Sequence, residues 1–520
     1  MPVSDVPIMY WVRGGAAGAL YSGRDGRIER VPAPLVPLVE RAIERGCVLG
    51  DADPGAEERH WLELAGLEGA MVRRLDPDTV HLDDRPRLIW LELTGRCNYT
   101  CVHCYAESDP APRDEMPADR WFTLLDEAAR LGFSQVQLTG GDPAMHPALP
   151  ALLEHVAALP FTLAELYTNA SLLTDRLVRQ LADSGVHLAA SFYSADPATY
   201  DAITGVSGSF DRAVRGLRRA LAAGIPVRIG LVEMPQNIHG VPRTIEFLAD
   251  LGISADRITR DRVRPAGRGR EVEGCGHGSA GFVSVNAIGT RAAATGFRRP
   301  QPLPTRARTA TTGNLVWNTC WSGELAIDPM GQVFPCIFSR TAPIGTVATQ
   351  SLADCLRGPA VTAAWQHHLG DAEGCRGCEF RYGCFDCRAL TVNVTGQAQA
   401  KPPTCIYDPA SGRIDAHAWV ERLPIDIWLT VCPRPQADWR VISEVSTGPW
   451  VETAAGARAW LSWLGAAVLD LADGSRSIAT LTETISRFMP DVDARIVLAM
   501  AFELEVQGLL WLPDPEPAVT

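Results

Sequence analysis

Between residues 87 and 264, short apolar runs alternate with segments in which apolar residues return every three or four positions. Strand-like and helix-like periods therefore take turns, which predicts repeated βα units around a parallel sheet. Six runs predict strands: Leu88–Leu93, Gln135–Thr139, Thr162–Tyr167, His187–Phe192, Val227–Val232 and Arg257–Val263. One helix should open at Asp119 as its N-cap, carry Leu124, Leu125, Ala128 and Leu131 on one face, and end at Gly132. Others fall at Thr174–Ser184, Arg212–Ala223 and Val241–Leu251. Six units suit an open or partial barrel better than a closed eightfold one. In such folds functional residues collect at the C-terminal ends of the strands.

The flanks read differently. In residues 1–86, Ile8–Val12 and Ala19–Tyr21 predict strands, and Leu35–Ile43 and Glu57–Leu67 predict helices. That outline fits either a winged-helix-like module or a plain cap. Residues 265–316 are rich in Gly, Ala, Thr, Arg and Pro with little periodicity, which predicts a flexible or partly ordered connection. A cysteine-rich unit spans 317–410. In the last unit, 421–513, Ile425–Val431 and Val441–Glu444 predict strands, and Ala459–Ala472, Ile478–Phe488 and Asp493–Gln507 predict three helices. Strands followed by three helices outline a winged-helix-like domain.

Composition narrows the function. A formal charge of −13 argues against nucleic acid or an anionic membrane as the main partner. Residues 1–20 lack the basic and apolar regions of a signal peptide, and no apolar run approaches the roughly 20 residues that span a bilayer. A cytoplasmic protein is expected. Its 14 cysteines then point to metal ligation rather than disulfides.

Ten of those 14 fall into two groups. Cys97, Cys101 and Cys104 stand in C-x3-C-x2-C spacing directly after the first predicted barrel strand. Thiolates are the usual ligands of iron–sulfur clusters, and three on a four-iron cluster leave one iron open, a catalytic feature. Zinc stays open as an alternative, because His103 lies inside the motif. The second group is Cys320, Cys336, Cys375, Cys378, Cys384, Cys387 and Cys405. Seven thiols exceed one tetrahedral site; two zinc sites in a non-catalytic scaffold are the alternative to clusters. Three further predicted strands also end in polar turns: Gly140-Gly141-Asp142-Pro143, Thr168-Asn169 and Ser191. All four loops share one rim.

The run Cys97-Asn-Tyr-Thr-Cys-Val-His-Cys-Tyr105 resembles the signature of the radical S-adenosylmethionine (SAM) superfamily, with His103 in its aromatic place. The resemblance implies a partial (β/α)6 radical SAM barrel in which Cys97, Cys101 and Cys104 hold the catalytic cluster and chelate SAM through its open iron. The backbone of Gly140, Gly141, Asp142 and Pro143 would hold the SAM amino group, with Asp142 where the family commonly has Glu. Asn169 and Ser191 stand where the family places ribose and carboxylate contacts. Thr204, in Asp201-Ala-Ile-Thr-Gly205, occupies a place often taken by Arg. The second cysteine group resembles the SPASM extension of peptide maturases, with two residues rather than three between Cys384 and Cys387. That implies one auxiliary cluster on Cys320, Cys336 and Cys387 and another on Cys375, Cys378, Cys384 and Cys405, making three 4Fe-4S clusters. Residues 469–481 resemble a PqqD-like element that binds the leader of a precursor peptide. The implied function is 5′-deoxyadenosyl-radical modification of a ribosomally made precursor peptide. It would be fed by an electron donor such as flavodoxin or ferredoxin. A sulfatase-maturase-like enzyme forming formylglycine is the enzymatic alternative.

Overall fold

The computed structural model describes residues 7–22, 28–31, 33–75, 86–272, 321–382, 387–403, 405, 407–411, 413–414, 429–435, 439–444, 448–453, 458–460, 463–506 and 510–511. Cys275, Cys320 and Cys384 lie outside the described residues, as do 273–316 of the expected flexible connection and 425–428 of the first strand expected in the last unit.

An N-terminal sheet is built from β1 (Ile8–Arg13), β2 (Gly18–Ser22), β3 (Ile28–Val31) and β4 (Met71–Arg74) in the order β3-β2-β1-β4. Helices α1 (Val36–Arg45) and α2 (Ala56–Ala65) lie between β3 and β4 in the chain. Met9, Trp11 and Leu20 bury one face of the sheet with Leu38, Val39 and Leu62 of the helices. The opposite face (Val12, Ala19, Tyr21 and Ile28) packs with Phe380, Tyr382, Cys378 and Cys405 of the cysteine-rich unit. The Tyr21 hydroxyl donates to the Glu379 carbonyl at 2.7 Å, fixing that contact.

The central sheet carries six parallel strands: β5 (Leu88–Thr94), β6 (Gln135–Gly140), β7 (Leu163–Thr168), β8 (His187–Phe192), β9 (Val227–Glu233) and β10 (Ile258–Arg262). Between them run α3 (Ala118–Arg130), α4 (Leu149–Ala157), α5 (Asp175–Ser184), α6 (Pro197–Thr204), α7 (Ser209–Ala222) and α8 (Val241–Asp250). Alternation places Ile89, Leu91 and Leu93 of β5 in one apolar core with Trp121, Leu124 and Leu125 of α3. The intervening positions Trp90, Glu92 and Thr94 face the inner side.

Two details depart from the sequence expectation. Asp119 is not the N-cap of α3: Pro117 holds that position without a side-chain bond, and Asp119 sits in the first turn, where its charge complements the helix dipole. The sheet also continues past the barrel. Strand β11 (Glu324–Ile327) pairs parallel with β5, and β12 (Gln332–Phe334) and β13 (Gly345–Thr346) follow antiparallel. Leu325, Val333, Leu352 and Trp365 belong to the barrel's own apolar core, so the cysteine-rich region is anchored on the barrel rather than tethered to it.

At the C-terminal end, strands Trp439–Glu444, Gly448–Thr453 and Arg458–Trp460 form an antiparallel meander. Helices Trp463–Leu471, Ile478–Ser486 and Ala494–Val506 follow. The expected helix from Ala459 therefore starts later, because 458–460 pair with the preceding strand. No helix among the described residues is long and apolar enough to cross a membrane.

Candidate active site

The loop after β5 carries Cys97, Cys101 and Cys104 and is tied down by backbone from three segments. Cys97 N–H donates to the Asp109 carbonyl, and the N–H groups of Thr100 and Val102 donate to the carbonyls of Thr204 and Ile203 at the end of α6. Arg268 N–H donates to the Cys104 carbonyl at 3.1 Å, while its side chain donates to the carbonyls of Cys101 and Ser108, both at 2.8 Å. Arg268 belongs to Gly267–Glu271, a 3-10 turn. The first residues of the expected flexible connection thus form an ordered brace on the cysteine loop.

The glycines after β6 explain themselves by the same loop. Gly140 has φ +132°, and a Cβ there would lie 2.4 Å from the Thr94 carbonyl oxygen. A Cβ on Gly141 would lie 2.1 Å from the Arg96 carbonyl oxygen. What these glycines approach so closely is the cysteine loop. Gly141→Ala should therefore push that loop off its seat and cut iron bound at Cys97, Cys101 and Cys104 by roughly half or more. Iron and sulfide analysis of a folded variant checks this; unchanged content would remove the close approach from the site's design.

Asp142 is fully buried, and its carboxylate accepts from Ala144 N–H (2.9 Å), the Thr168 hydroxyl (2.7 Å) and Asn169 N–H (3.0 Å). It locks the β6 and β7 rims together. Pro143 opens the 3-10 turn that Asp142 caps. Asn169 donates to Asn98 at 2.8 Å and points its amide at the Cys97 sulfur, 3.8 Å away. Ser191 donates to the Tyr167 hydroxyl at 3.4 Å on the inner face. Thr204 is fully buried, its hydroxyl hydrogen-bonded to Ser209 at 2.6 Å.

Burial raises the thiol of Cys97 strongly, with the Asp142 carboxylate and the two neighbouring cysteines adding to it. Burial and Cys104 push Cys101 up to about 12, against a hydrogen-bonding contribution from the Tyr193 hydroxyl. His103 is pushed down to about 4 by burial and Arg268, so its ring is neutral, edge-on to Tyr193 at 5.0 Å between centroids. Thiols held this high ionise only beside a strong cationic centre, and iron provides one. Arg96 Nε, His103 Nδ1 and Ser108 Oγ are buried here without a hydrogen-bond partner. Three thiols in C-x3-C-x2-C spacing on one braced loop are a donor set that suits an iron–sulfur cluster.

In the second group, Cys336 is buried and pushed up to about 11 by burial and by Cys387, which faces it. Cys378 is raised by burial, Glu379 and the neighbouring Cys375 and Cys405. The fold thus brings Cys336 beside Cys387, and Cys378 beside Cys375 and Cys405.

Comparison with known families matches this geometry. Residues 91–248 match the Radical SAM superfamily, and residues 320–379 match SPASM, an iron–sulfur cluster-binding domain. The chain is an enzyme of the radical SAM type. It is 28% identical over 363 residues to the AdoMet-dependent heme synthase of Methanosarcina barkeri, covering 64% of this chain and 99% of that protein. It is also 28% identical over 351 residues to the PqqA peptide cyclase of Streptomyces rochei, covering 64% of this chain and 92% of the relative. The crystal structure of Streptococcus suis SuiB bound to S-adenosylmethionine aligns with a TM-score of 0.49 and 13% identity, over 78% of this chain and 100% of SuiB.

Sequence reasoning missed several residues that shape this radical SAM site. Arg268 braces the loop from far along the chain. Glu92, on the inner face of β5, accepts from the Tyr105 hydroxyl at 3.1 Å and ion-pairs with Arg340. Arg264 reaches the Cys387 sulfur at 3.5 Å. Alternation alone would have marked Glu92, a lone acid on an inward position of a central strand. The three arginines carry no local signal.

Proposed function

We propose that this radical SAM enzyme modifies a ribosomally synthesised precursor peptide, forming a cross-link or another oxidative change. Similarity to proteins named PqqA peptide cyclase carries the reading, since that name describes chemistry on a peptide. Cys97, Cys101 and Cys104 hold the SAM-binding cluster, and the backbone of Gly140 to Pro143 receives the SAM amino group beside His103, Asn169 and Ser191. Bound there, the cluster and SAM would supply one-electron radical chemistry, and these residues would hold and orient them. The fold serves this by burying the loop, fixing its backbone and excluding water around the thiols.

Two auxiliary 4Fe-4S clusters complete the set, one on Cys320, Cys336 and Cys387, the other on Cys375, Cys378, Cys384 and Cys405. The packing of Cys387 with Cys336, and of Cys378 with Cys405, with Cys378 N–H donating to the Cys375 carbonyl at 2.8 Å, supports that division. Units at 1–86, 87–264, 265–316, 317–410 and 421–513 then divide the work, in a cytoplasmic enzyme reduced by a flavodoxin or ferredoxin.

The C-terminal unit is the peptide-recognition module, PqqD-like and winged-helix-like. A three-stranded meander has edges to which an extended leader can add as one more strand, by main-chain hydrogen bonds. Docking the leader there raises the effective concentration of the core segment at the barrel rim. Removing residues from 415 onward should leave iron content and SAM cleavage intact. Affinity for a labelled precursor peptide should fall roughly tenfold or more, about 1.4 kcal/mol. Undiminished binding and processing by the truncated chain would end the recognition role of this unit and pass it to the N-terminal one.

A further inference from the structure

Arg264 lies just beyond β10, where the chain leaves the barrel, yet its side chain belongs to the cysteine-rich region. Its guanidinium Nη1 is 3.5 Å from the Cys387 sulfur. The same guanidinium covers the ring of Phe338, 4.8 Å from the centroid. Phe338 follows Cys336 by two residues, and its carbonyl accepts from Asn393 at 3.0 Å, on the helix that starts directly after Cys387. The Phe338 ring meets Tyr105 edge-on at 5.2 Å, and Tyr105 directly follows Cys104. A single cation is thus fixed between the barrel's last strand, the two facing cysteines and the residue next to the radical-site loop.

Among the described residues Asp261 opposes it, its carboxylate oxygens accepting from Arg264 Nη2 at 2.8 and 3.2 Å. The Asp261 side chain is 42% exposed and the Arg264 side chain 27%. Water therefore screens the aspartate more than the guanidinium, and the cation is the group that touches sulfur. Hydrogen bonds and positive charge at a ligating sulfur favour the more negative, reduced form of an iron–sulfur centre and raise its potential.

We infer that Arg264 sets the reduction potential of the auxiliary centre held by Cys336 and Cys387, holding it ready to accept one electron. The inference rests on the reading of those two cysteines as ligands. Arg264 is a positioning residue, and its effect belongs to the one-electron couple of that centre, oxidised cluster plus electron giving reduced cluster. Phe338 holds the guanidinium over its ring and Tyr105 holds Phe338 edge-on, so the charge stays beside the sulfur.

The test uses the full-length chain with Cys97, Cys101 and Cys104 changed to Ala, so that only auxiliary iron contributes. The reconstituted protein is titrated with dithionite and mediator dyes and followed by electron paramagnetic resonance. The wave that disappears on adding Cys387→Ala identifies the centre. Arg264→Gln should move that wave to more negative potential with iron and sulfide unchanged, and Arg264→Lys should restore part of the shift. An unmoved wave in Arg264→Gln overturns the inference. So does loss of the iron in both Arg264 variants, because the residue would then be needed only to build the site. If the parent protein shows no wave that depends on Cys387, the ligand reading itself is wrong, a failure separate from this one.

Discussion

Changing Cys97, Cys101 and Cys104 together to Ala should abolish SAM cleavage while roughly two-thirds of the iron remains, the share of two clusters in three. The three sulfurs share one loop, and none of the second cysteine group lies on it. Cys336 follows β12, Cys387 opens the helix Arg388–Thr395, and the group around Cys378 rests under the N-terminal sheet. Each group has its own backbone supports, so emptying one should not unseat the others. Iron and sulfide analysis, with chromatography of 5′-deoxyadenosine, reads both halves of the expectation. Loss of all iron would show that the cysteine groups assemble together, and the separation of ligand sets would have to be redrawn.

The barrel could be read from sequence because each element buries one face of a periodic segment. The strand at His187–Phe192 lies where alternation put it, and Thr174 caps α5 through its hydroxyl, as the helix-start pattern implies. The rim loops followed, since a parallel strand ending in glycine, asparagine or cysteine announces its own C-terminal end. What stayed illegible depends on partners far away in the chain. Arg268 holds the carbonyl of Cys101, 167 residues earlier, and Arg340 pairs with Glu92, 248 residues earlier. Neither arginine has a periodic neighbour to mark it. The segment around Arg268 looked unstructured because glycine and arginine dominate it. Its order comes from docking on the cysteine loop, a tertiary effect that no local propensity carries. Ala459 and Trp460, expected at the start of the helix Ala459–Ala472, pair instead with Gly448–Thr453: so short a strand shows no period of two, and the pairing decides the matter.

The pair Glu92–Arg340 should be the most costly polar contact in the barrel to break. Glu92 is 1% exposed on β5, and its carboxylate is shared by Arg340 and the Tyr105 hydroxyl. Arg340 is itself fixed, donating from Nε to the Ile337 carbonyl at 2.8 Å and lying over the rings of Tyr105 and Phe334 at 5.3 and 5.4 Å. Burial raises the pKa of the Glu92 carboxyl, and Arg340 pulls it back toward the ionised form. With Arg340→Met the pull disappears and a carboxylate is left in an apolar setting. Removing one partner of such a buried pair typically costs about 3–5 kcal/mol, whereas replacing both by apolar groups can be nearly neutral. Urea unfolding should therefore rank Arg340→Met as the least stable variant, with Glu92→Leu/Arg340→Met recovering most of the loss. The same single change frees Tyr105, the residue beside Cys104, so iron at the radical site should fall with it. If Arg340→Met costs less than about 1 kcal/mol, as an exposed pair would, the buried pair does not hold the cysteine loop to the barrel. The brace from Arg268 and the end of α6 would then have to hold it alone.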